Sequence, residues 1–170
     1  MHPLSSLRLA PDFRFVTIAF SLVFFEDIRG CVGKVGSVRA KAEEQISAFL
    51  ANKPGVVADL CAALNEHRVN ILGMTVLDTV DIGTMRMIVD NVEEAKRALK
   101  EAGAAFVVVP VVAIALTNKA GAFARVARAM ANAGINIEYF YATAAPGTST
   151  SLAIFRVGDI DRALEIDFTE

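Results

Sequence analysis

A chain of 170 residues, 54% hydrophobic and 21% charged, suffices for one ordinary domain or two small ones and is too apolar to be disordered. A net charge of -2 with no Lys/Arg block excludes nucleic-acid binding driven by phosphate contacts. Cys31 and Cys61 form no CxxC and have no histidine at metal spacing, so no metal site is expected and a reducing, cytoplasmic setting is.

Residues 1–43 read as an extension. Their apolar run, Phe15 to Phe25, is eleven residues long, whereas a helical membrane span needs about twenty. No membrane crossing is expected. Arg8 and Arg14 before the run fit an export signal, but no small-x-small cleavage site follows. A disordered extension, a start codon assigned too early and an extra element packed on the body are the other readings.

From Gln45 the pattern is regular. Gln45 to Asn52 alternates and predicts a strand. Pro54 suits a first helical turn, and Val57, Leu60, Cys61 and Leu64 then share one helical face. Asn70 to Thr79 and Thr84 to Val89 predict a hairpin turned at Asp81-Ile82-Gly83. Asn91 to Gly103 carries acids early, bases late and a terminal glycine, a second helix. Ala104 to Val109 is a fourth strand. The order β-α-β-β-α-β over residues 44–109 is the ferredoxin-like arrangement.

A second unit, residues 110–170, repeats it. Val111 to Asn118 is a strand, Gly121 to Gly134 a helix, Asn136 to Thr143 and Ser149 to Val157 a hairpin, and Asp159 to Ile166 a short helix. Only Asp167 to Glu170 remain, too few for a closing strand. The strand Val111 to Thr117 is then left with an open apolar edge, which invites pairing. A homodimer, or cover by the N-terminal extension, is expected. The fold class is α+β: two ferredoxin-like βαββαβ units in tandem, antiparallel sheets with helices on one face.

At a constant offset of 66, residues 46–71 and 112–137 share eight identities in 26 positions, among them Asn52/Asn118, Lys53/Lys119, Gly55/Gly121, Asn70/Asn136 and Ile71/Ile137. A strand, then "NKPG", then a helix ending in "VNI" resembles an ACT domain, and "NKAG…GINI" resembles another. Ala120 departs from the usual proline of the second motif. The resemblance implies a stand-alone tandem ACT protein: a non-catalytic sensor that binds an amino acid or related small molecule at domain interfaces and serves amino-acid metabolism. It implies ligand contacts from Asn52, Gly55, Val56, Asn70 and Ile71 in one unit, and from Asn118, Gly121, Ala122, Asn136 and Ile137 in the other.

The physical case is independent of the resemblance. A helix N-terminus presents unpaired N–H donors and a partial positive charge to a carboxylate. Glycine lets a ligand approach the backbone there, and asparagine offers a donor and an acceptor. Each residue also has a structural reading. Asn52 and Asn118 could be N-caps, Gly55 and Gly121 plain turn residues, and Asn70 and Asn136 left-handed loop residues. Tyr139, Phe140 and Tyr141 alternate across the sheet and read as core or interface. His67 and Arg86 read as surface and Cys61 as core.

With two histidines, no Gly-rich phosphate loop and no G-x-S-x-G, nothing predicts catalysis, and no cofactor is expected. Asp78 and Asp81 at the hairpin read as solvated. The alternative is a regulatory subunit that controls a separate metabolic enzyme or transcription regulator without a tight ligand of its own.

Overall fold

The computed structural model describes residues 40–78, 82–143 and 147–168; the readings of residues 15–25 and of Asp81 fall outside these. The first repeat runs β1 (Ala40–Ala51), α1 (Val56–Glu66), β2 (Ile71–Asp78), β3 (Ile82–Val89) and α2 (Val92–Glu101). Next come β4 (Ala105–Thr117), α3 (Ala122–Asn132), β5 (Ile137–Thr143), β6 (Thr150–Val157) and α4 (Ile160–Leu164). Two ferredoxin-like units in tandem are present, as the pattern predicts. Ile82 and Gly83 belong to β3 rather than to the turn.

Local chemistry sets the element ends. Asn91 caps α2 by accepting from the Glu94 amide, and Asp159 caps α4 by accepting from the Arg162 amide. The three longer helices end alike. Val69, Ala104 and Ile135 each donate a backbone N–H to the carbonyl five residues earlier, on Leu64, Leu99 and Met130. The residue before each is left-handed: Arg68 (φ 55), Gly103 (φ 68) and Gly134 (φ 70).

The described strands form one antiparallel sheet in the order β2-β3-β1-β4-β6-β5. Two expectations need correction. β1 begins at Ala40, not Gln45, and β4 runs unbroken through Pro110, where two strands were expected. Both follow from pairing. Ala40 to Glu44 lie along Ile114 to Pro110, the place that a closing strand of the second unit would take. The edge expected to be open is filled by β6 on one side and by β1 on the other; residues 40–43 are the end of the N-terminal extension, so its cover, expected as the alternative to a homodimer, is what is found. It gives no argument for a homodimer. Pro110 is tolerated because the β6 ladder starts only at Val112. No ladder bond needs its missing N–H, and its carbonyl accepts from Arg156 Nη1 at 2.8 Å.

Glu44 pairs with Pro110, the residue 66 positions on. A pseudo-twofold axis therefore passes between β1 and β4 at that pair. Beyond the hairpins the offset grows to 68, because the second hairpin connection is longer: Met87 faces Ile46, and Phe155 faces Val112.

The helices cover one face. Ile46, Ala48 and Leu50 pack with Leu60, Leu64 and Leu99, while Val112, Ile114 and Leu116 pack with Val126, Met130 and Ala163. Alternation turns the intervening residues to the other face, where Val111 and Ala113 join Ile88, Tyr141, Leu152 and Ile154 in a third buried cluster. The sheet twists around that cluster until its edge strands approach. A Cβ on Gly73 in β2 would stand 3.3 Å from Thr143 Cγ2 in β5.

Candidate functional site

The two equivalent loops are built alike. Each strand ends in a tight turn, with Lys53 N–H donating to Ala51 O and Lys119 N–H to Thr117 O, both at 2.8 Å. The N-cap is the glycine: Gly55 at φ 94 and Gly121 at φ 86, with no side-chain cap on either helix. The asparagines are therefore not the caps. A positive φ of this size requires glycine, so the turn reading of Gly55 and Gly121 holds. Each helix thus starts beside a residue without Cβ, an arrangement suited to a carboxylate, although in the second loop the Ala122 N–H already donates to Lys119 O at 3.2 Å. Asn52, Gly55, Asn118 and Gly121 are exposed, Val56 is half-buried and Ala122 is buried.

The loops differ in charge. Asp59 Oδ2 lies 4.0 Å from where a Gly55 Cβ would be; at the equivalent point of the second loop, Arg125 Nη1 lies 3.7 Å from that of Gly121. One loop faces an acid, the other a base. In the second loop Asn118 Nδ2 donates to Thr148 O at 3.1 Å, and its backbone N–H donates to Ser149 O at 2.8 Å.

The remaining site residues lie elsewhere. β2 runs parallel to β1, so Asn70 and Ile71 stand one helix length, about 16 Å, from the Asn52 loop. The same holds for Asn136 and Ile137 against the Asn118 loop. Because β1 and β4 are antiparallel, the two loops sit at opposite ends of the sheet and the two Asn-Ile pairs near its middle. Within one chain, each loop and the Asn-Ile pair of its own unit are not neighbours. Neither asparagine is left-handed; the residues before the helix-end valine and isoleucine, Arg68 and Gly134, are. Asn70 N–H is taken by Asp90 Oδ1 at 2.9 Å, and Asp90 N–H returns to Asn70 O at 3.1 Å.

Other residues settle as follows. Phe140 lies on the helix face, its ring centre 4.3 Å from that of Phe123. Tyr139 and Tyr141 point to the opposite face and bond Gln45. Arg86, read as surface, is half-buried and lies over the Tyr139 ring at 3.7 Å. His67 ends α1 and reaches α2, with Nε2 3.0 Å from Glu101 Oε2 and Nδ1 3.6 Å from Glu94 Oε2. The Glu101 contact foremost holds its pKa above the ordinary imidazole value. Cys61 is half-buried against the first core, and burial raises its thiol pKa. The buried Gln45 was missed as a participant. Its signal in the sequence is a glutamine where the repeat has Val111. Among the described residues no group of His, Cys, Asp and Glu could hold a metal, and no helix is long and apolar enough to cross a membrane.

Comparison with known proteins agrees with this architecture. A family model described as an ACT domain pair matches residues 41–170. The crystal structure of protein BT0572 from Bacteroides thetaiotaomicron is 29% identical, with a TM-score of 0.69, over 74% of this chain and 86% of that one. The regulatory subunit of aspartate kinase from Thermus thermophilus, in its ligand-free form, is 20% identical, with a TM-score of 0.57, over 75% of this chain and 92% of that one. The corresponding subunit from Thermus flavus is 16% identical, with a TM-score of 0.54 and the same coverage. No curated protein matches the chain.

Proposed function

The chain belongs to the ACT domain pair family, and on that premise we propose that it is a non-catalytic sensor binding an amino acid or a close relative in the cytoplasm. The observation that carries this reading is the duplicated helix N-terminus opened by Gly55 and Gly121 at left-handed φ, in a fold of this family. The first-turn amides take the ligand carboxylate, and Asn52 or Asn118 meets its polar groups. Asn70-Ile71 and Asn136-Ile137 complete a site only when another unit is brought against the loop. The separation of loop and Asn-Ile pair within a chain therefore favours ligand binding between two copies, in a homodimer. Exposed Met74, Val76 and Leu77 on the edge strand β2 support such pairing. Ligand bound there stabilises one arrangement, and a metabolic enzyme or regulator reads the difference.

A thermal-shift screen against the common amino acids tests the reading. A ligand at about 100-fold its dissociation constant adds roughly 2.7 kcal/mol. For a chain of this size that raises the melting temperature by about 5–10 °C. No shift with any amino acid overturns the sensor reading. A second reading, a regulatory subunit without a ligand, is favoured by the exposed apolar residues Phe49, Leu77, Ile82 and Val107 on the helix-free face of the first unit. Stable co-purification with an enzyme, together with a flat screen, selects it.

A further inference from the structure

On the helix-free face the two units grip one another through buried and half-buried polar side chains. Gln45, fully buried in the middle of β1, donates from Nε2 to Ser47 Oγ at 3.0 Å and to the Tyr139 hydroxyl oxygen at 2.8 Å. Its Oε1 accepts from the Tyr141 hydroxyl at 3.2 Å. Arg86, from β3, lays its guanidinium 3.7 Å from the centre of the Tyr139 ring. Gln45, Ser47 and Arg86 belong to the first unit and both tyrosines to the second. Tyr141 is buried with Ile88, Val111, Leu152 and Ile154, and Tyr139 packs against the same cluster, half-buried like Arg86.

The repeat shows that this cluster serves the join between units, not the fold of either. One repeat on from Gln45 and Ser47 stand Val111 and Ala113, and one repeat before Tyr139 and Tyr141 stand Gly73 and Thr75. Each unit builds the same sheet without its partner's half of the cluster. The polar hub is on one half, the phenols that satisfy it on the other. As found, the amide groups of Gln45 are bonded; in an opened seam water would have to bond them. A partial separation strands the amide among apolar side chains, which is costly.

We propose that Gln45, Arg86, Tyr139 and Tyr141 form a latch that sets the angle between the two half-sheets, with Gln45 and Arg86 as positioning residues for β5. The latch stands on geometry alone. Its use in signalling rests on the sensor reading: Tyr139 is two residues beyond Ile137, so a ligand displacing the start of β5 moves Tyr139 against Gln45.

Spin-label distances on the full-length chain test it without any ligand. The native cysteines are replaced (Cys31→Ser, Cys61→Ala), and labels are placed at the exposed, equivalent positions Glu66→Cys in α1 and Asn132→Cys in α3. A second pair within the first unit, Glu66→Cys and Lys100→Cys, is the reference. Labelled protein is diluted with unlabelled protein to remove distances between copies. The parent should give one distance for each pair. Tyr139→Phe, which removes one hydroxyl and keeps the ring under Arg86, should add a second distance between units and leave the reference unchanged. Gln45→Leu and Arg86→Met should do the same. An unchanged inter-unit distance in folded Tyr139→Phe and Arg86→Met overturns the latch. Equal broadening of the reference pair overturns it too, by showing general support of the fold. The thermal-shift screen decides the sensor reading separately.

Discussion

Single residues carry asymmetries that the repeat would otherwise hide. Arg68 occupies the left-handed position that glycine fills at Gly134, its repeat equivalent, within the same helix-ending hydrogen bonds. A side chain there costs roughly 1–2 kcal/mol, partly offset by the lower chain entropy that a non-glycine residue has when unfolded. Arg68→Gly should therefore stabilise the protein by about 0.5–1 kcal/mol; urea titration showing a loss would contradict this. Tyr141 gives a pH dependence. Burial first of all, with Tyr139 adding and Arg86 opposing, holds its hydroxyl well above the ordinary phenol value. The folded value exceeds the unfolded one, so the contribution is complete below about pH 10 and declines as pH climbs through the folded value, because the unfolded chain loses the proton first. Unfolding curves between about pH 8 and pH 11 should show stability falling at the alkaline end, less steeply in Tyr141→Phe. Parallel curves for the two proteins would refute the assignment.

At the scale of elements the deciding feature is β1. Its C-terminal half belongs to the first unit, and its N-terminal half, Ala40 to Glu44, completes the second. Helices and hairpins were legible from period, turn residues and caps, since those signals are local. The double use of β1 was not. "AKAEE" reads as polar and irregular because only Ala40 of this stretch packs on the second core, while Lys41, Ala42 and Glu44 are exposed. Removing residues 1–44 should strip a strand from beside Pro110 to Ile114 and destabilise the second unit, while removing residues 1–39 should preserve cooperative melting. The two truncations, compared by calorimetry, should differ in transition enthalpy as well as midpoint; coincident transitions would show that Ala40 to Glu44 contribute nothing.

For the whole molecule the consequence is that two equivalent loops need not be equal. Asp59 beside the first and Arg125 beside the second give opposite local charge at the point where a ligand carboxylate would dock. Pro54 stiffens the first loop, where the second has Ala120. The Arg125 loop is expected to bind the carboxylate more tightly. At the working loop Asn→Ala should cost on the order of 1.5–3 kcal/mol of binding, and at the other much less. Calorimetry with the amino acid identified by the thermal screen measures both, for Asn52→Ala and Asn118→Ala. Equal losses would make the loops equivalent, and no loss at either would take them out of the binding site.

The sequence by itself determined the duplicated βαββα pattern, the place of each loop and the glycines that open them. Hydrophobic period, helix ends and turn chemistry are written within a few residues of where they act. The tertiary structure alone decided three things. Ala40 to Glu44 pair with β4, which depends on a register between strands more than sixty residues apart. Asn70 and Asn136 stand a helix length from their own loops, because β2 and β5 run parallel to the strands that carry those loops. Gln45 meets Tyr139 and Tyr141, across 94 and 96 residues, only because the sheet curls over its helix-free face. Contacts of that separation arise from the summed twist of six strands, and no short stretch of sequence encodes it.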